Sequence, residues 1–203
     1  LGRPFTMVIQ EAQRERWMAW HRRVIDGAVE PGREAPVVDR RGRTHHVRVT
    51  ADLVVGSSVG AMNGAYYAGA PTLEGVRKLA EIWRGLTRQD VFPVSLRSFA
   101  SFLWRRDFLI SHDGVRRLVE DHLPYKNLEE ATVPVHIVTT DIVSGETVVL
   151  SDGSAAEAIV ASTAIPGAFA PVVYKNRFLA DGAISSNTPI RVAIQKGAER
   201  LII

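Results

Sequence analysis

The chain has 203 residues, 46% of them apolar, with 25 Lys and Arg against 22 Asp and Glu, six His and no Cys. A chain of that length can close a core of its own, and without cysteine it has no disulfide framework, no thiolate metal centre and no cysteine nucleophile. The net charge is +3, its basic excess lies wholly in residues 1–50, where ten Arg face six Asp and Glu, and no basic stripe interleaved with aromatics marks a nucleic-acid partner.

No run reaches the roughly 18 apolar residues of a membrane-spanning helix, and Leu1 to Gln10 lacks the charged-then-apolar order of a signal peptide. The chain reads as a soluble protein of the cytoplasm, a compartment that its lack of cysteine fits. Both ends read as cuts. The first residue is Leu1 rather than Met, and Leu201-Ile202-Ile203 stops inside what reads as a buried strand.

Val8 to Val29 suits a helix with Trp17, Trp20 and Val24 on one side. Residues 30–44 are polar and carry Pro31, Gly32, Pro36 and Gly42, which predicts an irregular loop without a core. His46 to Val49 alternates as an edge strand would. The neighbouring His45 and His46 would point to opposite faces of it, so they do not read as a metal site.

The central stretch is Ala51 to Ala70, ADLVVGSSVGAMNGAYYAGA. Leu53, Val54 and Val55 read as a strand buried on both faces. Gly56-Ser57-Ser58-Val59-Gly60 then fits G-x-S-x-G, the sharp strand-to-helix turn that exposes a nucleophilic serine. A side chain at Gly56 or at Gly60 is expected to collide with the neighbouring strand or helix. Ala61, Gly64, Ala65 and Ala68 recur at helical spacing and make a face small enough to lie close to a sheet. Ser58 is thereby a candidate nucleophile at the positive end of a helix.

Thr72 is placed to cap a helix from Leu73 to about Leu86. Val91 to Ile110 is rich in aromatics and contains Arg97, Arg105 and Arg106. It reads either as a lid or acyl-chain wall that touches a lipid surface, or as an ordinary helix and loop that close the core. Ser111 suits the cap of a helix from about Gly114 to His122. Val135 to Thr140 and Thr147 to Leu150 read as strands, with His136 a satisfied core histidine. Ser154 to Ser162 reads as a short helix broken at Pro166-Gly167, and Val172 to Tyr174 with Arg177 to Leu179 as a hairpin around Lys175-Asn176. The hairpin leads to Asp181-Gly182-Ala183. Pro189 opens a helix to about Lys196, and Arg200 to Ile203 starts a strand. Strands alternating with helices predict an α/β fold with a mostly parallel sheet covered on both faces.

A serine hydroxyl needs a base. The six histidines are His21, His45, His46, His112, His122 and His136, so none lies late in the chain, where a Ser, acid, His triad needs one. A triad of Ser58, Asp113 and His122 would crowd acid and base into one short helix. A carboxylate acting alone remains, with Asp181 the best candidate and Asp113, Asp141 and Asp152 its rivals. Such a carboxylate is a weak base at neutral pH, so it needs a dry setting and a short contact with the serine. On local sequence Asp181 reads equally well as a turn aspartate bonding its own backbone.

Four blocks of the chain resemble the patatin-like phospholipases. They are Gly56-Ser57-Ser58-Val59-Gly60 with Ala61 to Ala65 after it; Thr140-Asp141-Ile142-Val143-Ser144-Gly145; Ala161 to Phe169; and Asp181-Gly182-Ala183 followed by Asn187 and Pro189. The resemblance implies a three-layer α/β/α sandwich and a lipid acyl hydrolase with a Ser-Asp dyad, needing neither metal nor cofactor. On it Ser58 attacks a fatty-acyl ester, Asp181 is the base, the backbone of Val59 donates to the oxyanion, and Asp141 is structural. Two departures stand out. Asp181-Gly182-Ala183 replaces the common Asp-Gly-Gly, and residues 1–50 hold no glycine-rich oxyanion loop of the G-G-G-x-R-G kind, Arg41-Gly42-Arg43 being the nearest stretch. Residues 1–50 are therefore expected to be a divergent segment ahead of a patatin-like core at 51–203. The expected activity is of the phospholipase A, lysophospholipase or carboxylesterase type, with a lipid-binding module that has lost catalysis as the alternative and acyl transfer as a third reading. The implied partner is a lipid or other fatty-acyl ester met at a membrane surface.

Overall fold

The structure is a computed structural model that describes residues 34–38, 44–48, 52–87, 90, 110–199 and 201. The chain divides into two compact units, Leu1–Thr50 and Ala51–Ile203. The predicted helix from Val8 to Val29 lies outside the described residues, as do residues 91–109 of the aromatic stretch and all but Leu201 of the last predicted strand.

In the first unit, strand β1 (Glu34–Val38) pairs antiparallel with β2 (Thr44–Arg48), Glu34 opposite Arg48 and Val38 opposite Thr44. Over Glu34–Val38 this corrects the irregular loop predicted for residues 30–44, and it moves the start of the second strand from His46 to Thr44. Proline is what misleads here. Pro36 has no N–H for a ladder, yet in a two-stranded ribbon each strand is an edge and tolerates it.

The second unit is an α/β sandwich around a five-stranded sheet, as expected. Strands β3 (Val54–Ser57), β4 (Val135–Asp141), β5 (Thr147–Leu150), β6 (Val172–Tyr174) and β7 (Arg177–Asp181) make the sheet. Helices α1 (Val59–Gly69), α2 (Leu73–Gly85), α3 (Asp113–His122), α4 (Ala155–Ser162), α5 (Ala183–Ser186) and α6 (Ile190–Gln195) connect and cover it. Only β3 and β4, joined through α1 to α3, pair in parallel; β5 and β7 both run antiparallel to β4, and β6 antiparallel to β7. Among the described residues the sheet is thus mixed rather than mostly parallel. Tight turns reverse the chain where a helix would have returned it, one at Gly145 (φ 74°) and one at Lys175 (φ 45°) and Asn176 (φ 62°).

The register of β4 brings two strand ends together. β5 runs along Ile137 to Thr140 on one edge, so β3, opposite Val135 to Val138, and β7, opposite Thr139 to Asp141, share the other edge end to end. Ser57 closes β3 opposite Val138, and Asp181 closes β7 opposite Thr139.

Small residues let the helices close on this sheet. Ala61, Ala65 and Ala68 of α1 are fully buried, and a Cβ at Gly64 would come within 2.8 Å of the Val54 side chain. Helix α4 is buried from Ala158 to Ser162, as its apolar sequence requires. Ile137, Ile159 and Leu179 fill the space between. Val54 and Val55 are only half-buried, which corrects a strand buried on both faces.

The predicted cap forms at Thr72, which accepts the Gly75 N–H at 3.0 Å, and Ser154, read only as the start of a helix, caps it by accepting the Glu157 N–H at 3.3 Å. Ser111 accepts the Asp113 N–H at 3.2 Å, but the residue at the helix boundary is His112. His136 meets Ser151 Oγ at 2.8 Å, and burial, with the Lys196 cation adding to it, lowers its pKa. No helix among the described residues is long and apolar enough to cross a membrane. Ile159 is 1% exposed, so Ile159→Ala is expected to destabilise the protein by about 2–5 kcal/mol in urea unfolding. A loss below about 1 kcal/mol would contradict the packing described.

Candidate active site

The turn after β3 folds as the glycine and serine pattern predicts. Ser58 has φ 55° and ψ −129°, a conformation rare outside glycine, and α1 starts at the next residue. Gly56 makes the reversal possible. A Cβ there would lie 2.5 Å from Gly60 O and 2.6 Å from Ala61 Cα, inside the backbone of the helix that folds over it. Gly60 is different from its expectation, because nothing lies within 4 Å of a Cβ built on it. It sits on the open side of the first helical turn, so no neighbour imposes glycine there.

At the end of β7 a Cβ on Gly182 would lie 2.0 Å from Val138 O and 2.7 Å from Ser57 Oγ. Only a glycine lets the chain pass between β4 and the end of β3. That passage sets Asp181 beside the elbow, where Ser58 Oγ donates to Asp181 Oδ2 at 2.6 Å. The aspartate is 3% exposed, and a buried carboxylate must have its oxygens bonded. The second oxygen, Oδ1, accepts the Ala183 N–H at 2.8 Å. The turn reading and the serine-partner reading of Asp181 are therefore both realised, one on each oxygen. Its N–H donates to Ala164 O at 3.0 Å, and its carbonyl accepts Thr140 Oγ1 at 2.9 Å.

The rival carboxylates are engaged elsewhere. Asp141 Oδ1 accepts the Val143 N–H at 2.9 Å, and its other oxygen faces Arg177 at 3.5 Å. Asp152 pairs with Lys175 at 2.7 Å, and Asp113 accepts Ser111 Oγ at 2.7 Å. The described histidines that make hydrogen bonds make them away from the elbow: His112 to Ala170 O, His122 to Leu118 O and His136 to Ser151. Among the described residues no group of three His, Asp or Glu could hold a metal ion.

Two residues of the site carry no role in the sequence reading. Ser162 is fully buried, accepts the Ser58 N–H at 2.9 Å and donates to Val138 O at 2.6 Å. The only trace of it in the sequence is its place in the block Ala161 to Phe169. Ser57 Oγ is buried, with no hydrogen-bond partner among the described residues.

The arrangement has a dry side and a wet side. Asp181 is buried, while Val59 is 51% exposed at the start of α1. Among the described residues no acceptor faces the N–H groups of Val59 and Gly60, as expected of the first turn of a helix. A carboxylate 2.6 Å from a hydroxyl is within proton-transfer reach, and free N–H groups at a helix N-terminus favour negative charge.

Among known families, residues 17–194 match the patatin-like phospholipases. The match reaches upstream of residue 51, into the segment that the sequence reads as divergent. Similar proteins include patatin-like phospholipase domain-containing protein 7 of Mus musculus, 26% identical over 76% of this chain and 11% of its own. A putative patatin-like phospholipase domain-containing protein of Caenorhabditis elegans is 24% identical over 76% of this chain and 14% of its own. An uncharacterized NTE family protein of Mycobacterium tuberculosis is 31% identical over 68% of this chain and 36% of its own. The chain thus spans between about a tenth and somewhat over a third of the relatives it matches.

The two elbow glycines should separate in a stability measurement. Gly56→Ala forces a Cβ into helix backbone and is expected to cost about 2–4 kcal/mol, whereas Gly60→Ala is expected to change stability by less than about 1 kcal/mol. Equal effects in urea titrations would refute the geometry of the turn.

Proposed function

The chain belongs to the patatin-like phospholipase family, and from that premise we propose that it is a serine-dependent lipid acyl hydrolase whose residues 51–203 carry the reaction. Ser58 Oγ attacks the carbonyl carbon of a fatty-acyl ester while its proton passes to Asp181 Oδ2. The tetrahedral oxyanion sits against the N–H groups of Val59 and Gly60 at the positive end of α1. As the intermediate collapses, Asp181 returns the proton to the leaving alcohol, and the acyl group stays on Ser58. Water then gives a proton to Asp181 and attacks the acyl-enzyme, the fatty acid leaves, and Ser58 recovers its proton.

One observation carries this reading, the 2.6 Å contact between Ser58 Oγ and Asp181 Oδ2 across 123 positions of chain. A turn aspartate needs no such partner, and a structural serine needs no left-handed backbone. The substrate class is a lipid ester of the phospholipase A, lysophospholipase or carboxylesterase type, met at a lipid surface. A second reading, a domain that binds lipid without turning it over, draws on the absence of a G-G-G-x-R-G run from residues 1–50.

The two readings separate experimentally. Ser58→Ala and Asp181→Asn are each expected to lower hydrolysis of a short-chain p-nitrophenyl ester by about a thousandfold or more with the melting temperature kept, and a fluorophosphonate is expected to label the wild type at Ser58. Full activity in either variant refutes the dyad, and a wild type that binds vesicles but is not labelled favours the binding module.

A further inference from the structure

The hydrogen bonds behind the elbow involve a side chain that touches neither the ester nor the transferred proton, and from them we infer that Ser162 is a positioning residue for the reaction. It holds nucleophile and base in register from the end of α4. The inference rests on the Ser58–Asp181 reading above.

Ser162 is the last residue of α4 and is fully buried. Its hydroxyl stands between a group that can only donate, the Ser58 N–H at 2.9 Å, and one that can only accept, Val138 O at 2.6 Å. The hydroxyl hydrogen therefore has one orientation, toward Val138, and a lone pair faces Ser58. The main chain at and just after the same residue reaches Asp181 and the residue that follows it. Ser162 O accepts the Gly182 N–H at 3.4 Å, and two residues on Ala164 O accepts the Asp181 N–H at 3.0 Å. Val138 is itself the register partner of Ser57. One residue thus ties the nucleophile by its side chain, the residue after the base by its carbonyl, and the strand that β3 and β7 both pair with by its proton.

Two consequences follow for the chemistry. The Ser58 N–H is committed to Ser162, so it is removed from the oxyanion donors and leaves that task to Val59 and Gly60. Ser58 also holds a backbone conformation with φ 55°, which persists only where the surroundings impose it. The bond from its N–H to Ser162 is such a constraint. Without it the elbow is free to relax, and the reach from Ser58 Oγ to Asp181 Oδ2 suffers, because a hydrogen bond weakens steeply with angle and distance.

Ser162→Ala deletes the acceptor and the donor together. The measurement is the second-order rate constant for fluorophosphonate labelling of Ser58, with kcat and KM on a short-chain p-nitrophenyl ester beside it. The rate constant and kcat are expected to fall about ten- to a hundredfold, with KM little changed and the same fraction of chains labelled at completion. Ser162→Cys, with similar volume and a weaker donor and acceptor, is expected in between. It carries the comparison if the alanine variant does not fold. A merely structural role would lower the labelled fraction and the melting temperature but leave the rate constant at the wild-type value, and that outcome overturns the inference. A wild type that is not labelled at all overturns the hydrolase reading and this inference with it, whereas a labelled wild type with equal rate constants in all variants overturns this inference alone.

Discussion

Two strands that stop head to head on one edge of a third bring a hydroxyl and a carboxylate, 123 positions apart in the chain, to 2.6 Å. β3 arrives parallel to β4 and β7 arrives against it, so their last residues face Val138 and Thr139. A shift of either strand by one residue would turn its side chains to the other face and part the pair. Burial makes the same contact necessary from the other direction, since a carboxylate at 3% exposure has to find donors. Ser58 supplies one and the Ala183 N–H the other.

What keeps the strand ends in place is the absence of side chains as much as their presence. At Gly56 and Gly182 a single added carbon would intrude on backbone, at 2.5 Å and 2.0 Å respectively. The buried alanines of α1 and α4 let two helices lie close to the sheet. The elbow conformation of Ser58 is unfavourable by itself; helix α1 ahead of it and Ser162 behind it hold it there. The result is a carboxylate on the dry side of the fold and a hydroxyl bonded to it beside the first N–H groups of α1 on the wet side.

Everything the proposed reaction needs from described side chains lies in the second unit, Ala51–Ile203. The family match nonetheless begins at residue 17, and the first unit contains an antiparallel strand pair where composition alone suggests a loop. The relatives are much longer than this chain, so the small α/β core that they share with it is set among further sequence in each of them.

The amino-acid sequence by itself determined whatever depends on a few neighbouring residues. The G-x-S-x-G elbow, the cap at Thr72, the turn at Lys175-Asn176 and the strand from Val135 are all readable because backbone preference and capping act over three or four positions. It also pointed to a carboxylate rather than an imidazole as the partner expected for Ser58, since no histidine follows His136. It left Asp181 open between a turn and a contact with Ser58, it missed the pairing of Glu34–Val38 with Thr44–Arg48, and it gave Ser162 no part. Tertiary structure alone decided these, along with the mixed direction of the sheet and the freedom around Gly60. Each depends on which strand edge meets which, and pairings between residues tens to more than a hundred positions apart leave no periodic mark in the chain that makes them.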